Sequence, residues 1–297
     1  MDRSKLTALL CLVLCIISCT SCSLSSRQTQ RPSITAILGA FDKEVTLLED
    51  LLTEREERTI EGIRFVSGRV CGQRVVIAWT GIGKVNATMS TTLVLEHFKP
   101  GRVIFTGIAG AVNPQLRAGD IVIAQKVAHH DMGTLWPDGL QYLGVKNRLT
   151  GWENPVFFES DGGLLSLAED AAGRVKLSAI NTVDGARTPR IIKGVVVTGD
   201  AFVASPKKCQ ELRNSLRADA VEMEGAAVAQ VCHQRQVPFV VIRSISDSAD
   251  EGAMVDKQMF YIMAAENSSR LVGKMMELTG SGGTVREDRT STGSYSR

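Results

Sequence analysis

Residues 102–130 read RVIFTGIAGAVNPQLRAGDIVIAQKVAHH and contain two apolar runs, at 102–107 and 120–130. Runs rich in valine and isoleucine that are bounded by glycine and polar residues are typical of buried β-strands. The first run ends in Gly107, and Ile108, Ala109 and Gly110 follow it. Ligands of α/β folds bind beyond the carboxyl ends of strands. The sequence therefore predicts two buried strands, the first of which ends at a place where chemistry is expected.

The rest of the body alternates in the same way between apolar runs and helical patterns. Further strands are predicted at 34–40, 194–200 and 238–246, and a hairpin is predicted from IRFVSGRV and RVVIAWT around Cys71-Gly72-Gln73. Helical spacing is found at 44–52, 85–98, 164–175, 225–234 and roughly 256–278. This alternation predicts an α/β fold, a three-layer α/β/α sandwich around a mixed β-sheet.

The length of 297 residues favours two domains, but the body argues for one. Residues 33–279 show neither a linker-like break nor an internal repeat. The following segment, GSGGTVREDRTSTGSYSR (280–297), has no apolar periodicity. We therefore expect one domain over 33–279, followed by a disordered tail over 280–297.

The composition excludes some classes of function. Hydrophobic residues make up 44% of the chain and charged residues 22%, which is typical of a globular protein. The net charge is +2, of which residues 1–22 contribute +1 and residues 280–297 another +1. The body is therefore neutral. Binding of nucleic acid as the main function is not expected, because it needs a clustered excess of lysine and arginine.

The N-terminus is typical of an export signal. Arg3 and Lys5 precede 12 mostly apolar residues, Leu6 to Ile17, too few for a transmembrane helix. The segment ISCTSC (17–22) follows, and Ile-Ile-Ser before Cys19 resembles a bacterial lipobox, with Cys22 as a second candidate. We predict a signal peptide over 1–22, a polar tether over 23–32, and an exported protein that is either lipid-anchored or periplasmic. The alternatives are an uncleaved anchor, an ordinary secretory peptide, and a cytoplasmic protein if the leader is not functional.

Neither a disulfide framework nor a metal site is predicted. The body contains only Cys71, Cys209 and Cys232, which are widely spaced and are expected to be buried small residues. The sequence His129-His130-Asp131 contains metal-ligand types but has no third ligand at a recognisable spacing.

Carboxylates and glycine turns follow the predicted strands. Alone, Glu44 would be a solvated acid in the first turn of a helix, and Asp247 could form a structural ion pair with Arg243. Glu222 and Glu224 would face one side of a strand, where like charges favour a binding role. GIGKVN (81–86) lacks the third glycine of a dinucleotide fingerprint. The strand-end groups are Asp42 and Glu44, Gly81 to Lys84, Gly107 to Gly110, Gly199 to Phe202, Glu222 to Glu224, and Ser246 with Asp247.

Taken in order, these residues resemble one known family. The motifs are GAFDKEV, GIGKVNAT, TGIAGAV, AGDIVIA, TGDAFV, VEMEGAAVAQVCH and VPFVVIRSISD. Together they are similar to those of the methylthioadenosine/S-adenosylhomocysteine nucleosidases of the nucleoside phosphorylase superfamily, over about residues 34–278. The resemblance implies hydrolysis of the bond between adenine and the thio-substituted ribose, without a metal or organic cofactor. It also implies a homodimer in which a loop of the partner borders the pocket.

The resemblance assigns two catalytic residues. Glu44 corresponds to the general base that activates water, and Asp247 to the general acid that protonates the imidazole-ring nitrogen of adenine. Glycosidic cleavage passes through an oxocarbenium-like state and needs one acid and one base on opposite sides of the bond. Two acids can share these tasks only if their environments differ, and we expect Asp247 to be the protonated one.

The resemblance also assigns substrate contacts. Phe202 is expected to stack on the purine and the main chain of Val203 to contact its edge. Met223 and Glu224 are expected to hold the ribose hydroxyls, with Glu222 nearby. Arg243, Ala109 and Gly110 are expected to frame the water and the sugar, and Ser246 completes the predicted set.

Two other functions remain open at this stage. A phosphorylase needs cationic or amide donors around phosphate, and phosphorylase relatives place an arginine near the position of Thr106. The absence of that arginine favours hydrolysis. A noncatalytic nucleoside-binding or surface protein on the same fold is the other alternative, and the retention of Glu44, Glu224 and Asp247 argues against it.

Three departures from the family pattern concern the shape of the pocket. Ile108 occupies the position of a small polar residue that contacts water in many members. Residues 132–160 do not match the family loop beside the sulfur substituent. The usual aromatic lid near 254–260 is hard to align, and Phe260 or Tyr261 is the nearest candidate. The preferred substituent is therefore not determined by the sequence.

Overall fold

The computed structural model of the protein describes residues 33–182, 185–250 and 253–280. The predicted signal peptide (1–22), the polar tether (23–32) and residues 281–297 of the predicted tail lie outside the described residues. Within the described part of the chain, no helix is both long enough and apolar enough to cross a membrane.

The secondary structure alternates between strands and helices for most of the chain. The strands are β1 (Thr35–Gly39), β2 (Thr53–Ile60), β3 (Ile63–Val70), β4 (Gln73–Trp79), β5 (Arg102–Ala111), β6 (Ile121–His129), β7 (Gly133–Trp136), β8 (Gly139–Tyr142), β9 (Phe157–Glu159), β10 (Ile180–Thr182), β11 (Gly185–Arg187), β12 (Ile191–Thr198), β13 (Ala220–Glu222) and β14 (Phe239–Asp247). The helices are α1 (Lys43–Glu49), α2 (Lys84–Phe98), α3 (Gly162–Ala172), α4 (Pro206–Leu216), α5 (Gly225–Gln234) and α6 (Ala253–Gly280).

The main sheet is mixed. Its order over the described residues is β13-β12-β6-β14-β5-β1-β4-β3-β2, with β9 paired to β6. β1 is parallel to both β4 and β5, so that Ile37 lies opposite Ile77 and Ile104. β14 is parallel to β5 but antiparallel to β6. β13 pairs with β12 and also, in antiparallel fashion, with the end of β5.

Helices cover both faces of this sheet. Side chains of alternate residues point to opposite faces of a strand. Accordingly Leu38 packs in one cluster with residues of α2 and α5, whereas Ile37 packs in another with residues of α1, α3 and α6. The predicted three-layer α/β/α sandwich around a mixed sheet is confirmed.

Seven of the described elements were not predicted from the sequence: the short strands β7 to β11, the charged strand β2 and the helix α4. β2 reads TEREERTI and is an exposed strand at the edge of the sheet, where it pairs with β3. Its charged side chains form cross-strand pairs such as Glu54 with Arg69. α4 reads PKKCQELRNSL and buries Cys209, Leu212 and Leu216. Polar residues dominate both segments, so their structure depends on the strand or core beside them.

Candidate active site

One cavity of about 290 Å³ lies beyond the carboxyl ends of the central strands. Its lining contains most of the residues proposed from the sequence, and they come from β5, β13, β14 and the loop after β12. These residues are Ala109, Gly110, Phe202, Val203, Glu222, Met223, Glu224, Ser246 and Asp247. The topology therefore brings together segments that lie more than a hundred residues apart in the chain.

Sequence reasoning missed several apolar residues of the wall. Phe41, Ile82, Ala201 and Val221 line the cavity, as does Ile108, which was noted only as a departure from the family. Each is adjacent to a predicted residue or belongs to a predicted strand-end turn. Their position at strand ends was the signal that could have identified them. As apolar residues they were not distinguished from the core.

Arg243 lies behind the wall rather than in it. Its side chain is fully buried and makes an ion pair with Glu222, while its Nη2 lies 3.8 Å from Glu224 Oε2. Nη1 donates a hydrogen bond to the carbonyl of Thr106 at 2.9 Å, and the guanidinium lies 4.1 Å from the ring centroid of Phe105. The predicted like-charge pair of Glu222 and Glu224 thus shares one cation. Arg243 is therefore placed to hold these carboxylates, and it is not among the residues that line the cavity.

Glu222 accepts several hydrogen bonds from neighbouring groups of the protein. Thr198 Oγ1 donates to Oε1, and the N–H groups of Glu224 and Gly225 donate to Oε2 at 3.1 and 2.8 Å. The expectation that Glu222 and Glu224 share a strand face is wrong. Glu222 ends β13, whereas Glu224 is the residue that precedes α5, and its φ of −138° and ψ of −36° turn the chain into that helix.

Glu224 is the carboxylate of this pair that remains available to a ligand. It lines the cavity and accepts one hydrogen bond from the N–H of Gly83, at 2.8 Å from Oε1. Burial and the neighbouring Glu222 raise the pKa of Glu224 to about 8, although Arg243 acts in the opposite direction.

Glu44 is not a solvated helix acid, since only 1% of its surface is exposed. It lies in the first turn of α1, where Oε2 accepts hydrogen bonds from the N–H groups of Ala40 and Phe41, and Oε1 accepts one from Ile108 at 2.9 Å. Burial raises the pKa of Glu44, while Arg243 and these three N–H donors partly offset the rise. The carboxylate lies directly behind the wall formed by Phe41 and Ile108.

Asp247 reaches the cavity because β14 is irregular at its end. The register with β5 shifts between Ile245 and Asp247, so that Ser246 and Asp247 both line the cavity. In a regular strand, consecutive side chains would point to opposite faces. Ser246 Oγ donates to Asp247 Oδ2 at 2.7 Å, and the N–H of Ala249 donates to Oδ1 at 2.9 Å. The carboxyl group of Asp247 is therefore held in one orientation.

Gly107 allows Arg243 and Glu44 to approach the same stretch of main chain. A Cβ atom on Gly107 would lie 2.1 Å from Arg243 Nη1 and 2.6 Å from Glu44 Oε1. No side chain fits between a guanidinium and a carboxylate that approach the backbone so closely. Glycine is required here because of this close approach.

The His129-His130-Asp131 motif takes part in protein contacts. His129 Nε2 lies 3.0 Å from Gln230 Oε1, and Lys84 Nζ donates to Asp131 Oδ1 at 2.7 Å. Over the described residues, no group of three or more metal-ligand side chains is close enough to hold an ion. The charged residues that line the cavity are all carboxylates.

Comparison with known proteins agrees with this geometry. Residues 34–277 match the model of the phosphorylase superfamily. A 5'-methylthioadenosine/S-adenosylhomocysteine nucleosidase of Bacillus thuringiensis is 38% identical over 243 residues, which are 82% of this chain and 97% of that protein. The chain belongs to this nucleosidase family.

Solved structures of relatives share the nucleosidase fold. The nucleosidase of Neisseria meningitidis, in complex with methylthio-immucillin-A, superposes with a TM-score of 0.71 at 35% identity, over 83% of this chain and 99% of that one. The futalosine hydrolase of Helicobacter pylori superposes with a TM-score of 0.70 at 31% identity, over 83% and 98% of the two chains. Hydrolases with different names therefore share this architecture.

The raised pKa of Glu224 predicts a pH dependence of stability. Above the ordinary pKa of 4.5 and below about 8, the folded protein keeps a proton on Glu224 that the unfolded chain has lost. The free energy of unfolding should therefore fall as the pH rises through this window, with a contribution from Glu224 of up to about 1 kcal/mol per pH unit. Glu224→Gln should reduce this slope in urea unfolding measured from pH 5 to 8.

The matched control is Glu61→Gln, at an exposed turn between β2 and β3, which should keep the wild-type slope. A Glu224→Gln variant with the full wild-type slope would show that Glu224 ionises normally in the folded protein.

Proposed function

We propose that the protein hydrolyses the N-glycosidic bond of 5'-methylthioadenosine, S-adenosylhomocysteine or both, and releases adenine and the thio-ribose. The observation that carries this proposal is the lining of the cavity. Its volume is near the lower end of about 300–1,000 Å³ that is usual for small-molecule sites. It combines an exposed aromatic ring, Phe202, with charged residues that are all carboxylates. This is an environment for a neutral nucleoside and for a transition state with positive charge.

Asp247 serves as the general acid. Its carboxyl group faces the cavity and is oriented by Ser246 and by the N–H of Ala249. From this position it gives a proton to the imidazole-ring nitrogen of adenine while the glycosidic bond breaks. Adenine then leaves as a neutral base, which lowers the barrier because no anion develops on the leaving group.

Glu44 serves as the general base. It accepts three main-chain hydrogen bonds behind the wall formed by Phe41 and Ile108, and its raised pKa brings its basicity closer to neutral pH. A base is most effective when its pKa lies near the working pH. Glu44 takes a proton from water as that water attacks the sugar. The side chain of Ile108 supplies no hydroxyl for this water, so the burden of positioning it rests on Glu44.

The substrate is held between two walls. Phe202 stacks on the purine, and the main chain of Val203 contacts its edge. Met223 and Glu224 hold the ribose hydroxyls on the side of α5. Glu222 and Arg243 support Glu224 from behind through their ion pair and its hydrogen bonds.

Hydrolysis is favoured over phosphorolysis by electrostatics. A bound phosphate needs cationic or amide donors, and the described residues that line the cavity include neither lysine nor arginine. Thr106, at the position where phosphorylase relatives have an arginine, is fully buried and hydrogen-bonded to Ser268. A noncatalytic binding role is less favoured, because Glu44, Glu224 and Asp247 are all present and ordered around one cavity.

We also propose that two copies of the chain form a homodimer through an exposed apolar face. Val85 at the start of α2 is 78% exposed, and Leu135 in β7 and Trp152 in the following loop are 80% and 79% exposed. The hydrogen bond from Lys84 to Asp131 brings the start of α2 close to the start of β7. Exposed apolar patches of this kind mark interaction sites. The partner would border the mouth of the cavity through the segment 132–160.

The third proposal concerns location. We propose that residues 1–22 direct export and that Cys19 or Cys22 is lipidated, so that the enzyme acts on nucleosides outside the cytoplasm. The support is the order of basic, apolar and cysteine-containing segments in the sequence.

A product assay tests the proposed reaction. The protein is incubated with 5'-methylthioadenosine, S-adenosylhomocysteine and futalosine, each with and without phosphate, and the products are separated. We expect free adenine and a thio-ribose from the first two substrates, independent of phosphate. Asp247→Asn should lower kcat by about 10²- to 10⁴-fold, because it removes general acid catalysis.

The matched control for Asp247→Asn is Asp170→Asn on the exposed surface of α3, which should keep wild-type turnover. A sugar phosphate formed only with phosphate would identify a phosphorylase. Cleavage of futalosine alone would change the substrate, and tight adenine binding without turnover would revive a binding function. Near-normal turnover of Asp247→Asn would refute the role of Asp247.

Charge placed in the apolar face tests the dimer. Val85→Glu and Leu135→Glu should convert the dimer to a monomer in light scattering, since a carboxylate is costly in an apolar interface. Val85→Glu should not harm α2, because an acid is favourable in the first turn of a helix. Leu51→Glu, at an exposed leucine after α1, is the control and should stay dimeric. A fully active, monomeric wild-type protein would contradict the proposal.

Labelling with an alkyne-tagged fatty acid in a bacterial host tests the anchor. The full chain should be labelled and should sediment with membranes, and replacement of the modified cysteine, Cys19→Ala or Cys22→Ala, should abolish both. Serine at Cys71 gives a matched control outside the leader. An unlabelled chain that remains in the cytoplasmic fraction would overturn the proposal.

A further inference from the structure

Three strand ends meet beside the cavity through a cluster formed by Lys84, Asp131 and Asp200. Lys84 follows the turn after β4, Asp131 follows β6, and Asp200 follows β12. We call these residues the Lys84 cluster. Each of them belongs to a motif identified in the sequence, namely GIGK, His129-His130-Asp131 and TGDAFV. The proposed acid–base chemistry uses none of the three.

The hydrogen bonds of the Lys84 cluster form a closed ring. Lys84 Nζ donates to Asp131 Oδ1 at 2.7 Å, and the main-chain N–H of Lys84 donates to Asp200 Oδ1 at 2.8 Å. The main-chain N–H of Asp200 donates to Asp131 Oδ2 at 3.0 Å. Lys84 Nζ also lies 3.7 Å from Asp200 Oδ2. Each of the three loops is therefore bonded directly to the other two.

This ring is connected to the substrate side of the cavity. Gly83, next to Lys84, donates its N–H to Glu224 Oε1 at 2.8 Å, and Ile82 lines the cavity. Asp200 precedes Ala201, Phe202 and Val203, which also line the cavity. The ring thus fixes the distance between the purine wall and the carboxylate proposed to bind the ribose.

The loop that carries Phe202 is also held at its two ends, where the N–H of Gly199 donates to the carbonyl of Glu222 at 3.1 Å and the N–H of Ser205 donates to the carbonyl of Ala249 at 3.0 Å. Below it, the ring of His130 packs against Gly199, where a Cβ atom would lie 2.4 Å from His130 Nε2. This contact sets the start of the loop but supplies no hydrogen bond to Asp200. The two hydrogen bonds of the Lys84 cluster to Asp200 hold the following residues.

The catalytic acid and base are held by other groups. Glu44 accepts hydrogen bonds from the N–H groups of Ala40, Phe41 and Ile108, and Asp247 accepts hydrogen bonds from Ser246 and Ala249. The Lys84 cluster is also partly exposed, and ion pairs of this kind contribute little to folding. Loss of the cluster is therefore expected to change the pocket and to leave both the fold and the chemical groups in place.

We propose that Lys84 and Asp131 are positioning residues that hold the purine-binding loop and the Gly83–Glu224 contact in register, and thereby set the affinity for the adenine nucleoside. The proposal rests on the proposed function, because it assumes that Phe202 and Glu224 contact the substrate. Binding energy supplied equally to the bound substrate and to the transition state appears in KM and not in kcat.

Steady-state kinetics and adenine binding test this proposal on the full chain. Lys84→Met keeps the length of the side chain but removes its charge, and Asp131→Asn removes the charge of its partner. Each should raise KM and the Kd for adenine by about tenfold, with kcat changed by less than about threefold and its pH profile unchanged. Lys84→Arg should have a KM much closer to that of the wild type, because it keeps a cationic donor.

The matched control is Lys193→Met, which breaks an ion pair with Glu169 that is also partly exposed but lies at the start of β12. It should keep wild-type KM and Kd. An unchanged adenine Kd in both Lys84→Met and Asp131→Asn would overturn the proposal, as would a loss of kcat at unchanged KM. If the wild type binds adenine but releases none from any substrate, the proposed function fails, and the adenine Kd of the variants still tests the cluster.

Discussion

The site depends on the ion pair and hydrogen bonds made by the buried guanidinium of Arg243. A charge with no exposed surface is costly unless ionic and hydrogen-bonding partners surround it. Glu222, the carbonyl of Thr106 and the ring of Phe105 supply those partners, and Glu224 lies within 4 Å of the guanidinium. Because Arg243 lies in β14 and its partners come from β5 and from the end of β13, the guanidinium ties these three strands together. It also leaves Glu224 facing the cavity, while Glu222 is held by the protein.

Space is the second constraint on the site. Glu44 and Arg243 both approach Gly107 so closely that no Cβ atom could be placed there. Glu44 is almost fully buried beside the wall of the cavity, where burial raises its pKa and three main-chain donors hold it. Asp247, by contrast, is brought into the lining of the cavity by an irregularity at the end of β14. The two acids therefore differ in environment, as a division into base and acid requires.

The residues around the cavity fall into two groups that hold different parts of the site. Ser246 and Ala249 orient the carboxyl group of Asp247, whereas the Lys84 cluster joins the loops that carry Phe202 and Gly83. The proposed acid and the proposed purine-binding loop are therefore held by different hydrogen bonds. The exposed apolar side chains of Val85 and Leu135 belong to α2 and β7, the elements that follow the loops joined by Lys84 and Asp131.

The sequence by itself determined the fold class, the longer buried strands, most helices and most residues of the candidate site. It could do so because apolar periodicity marks these elements and because an α/β sheet places its ligands at the strand ends. It missed the charged edge strand β2, the helix α4 and the short strands β7 to β11, in which polar residues dominate or the segment is too short to show a period. Only the tertiary structure decided that Glu44 is buried, that Glu224 lies outside the strand and that Lys84 meets Asp131 and Asp200. Burial, register shifts and ion pairs between distant loops depend on which segments pack together, and no local pattern records that.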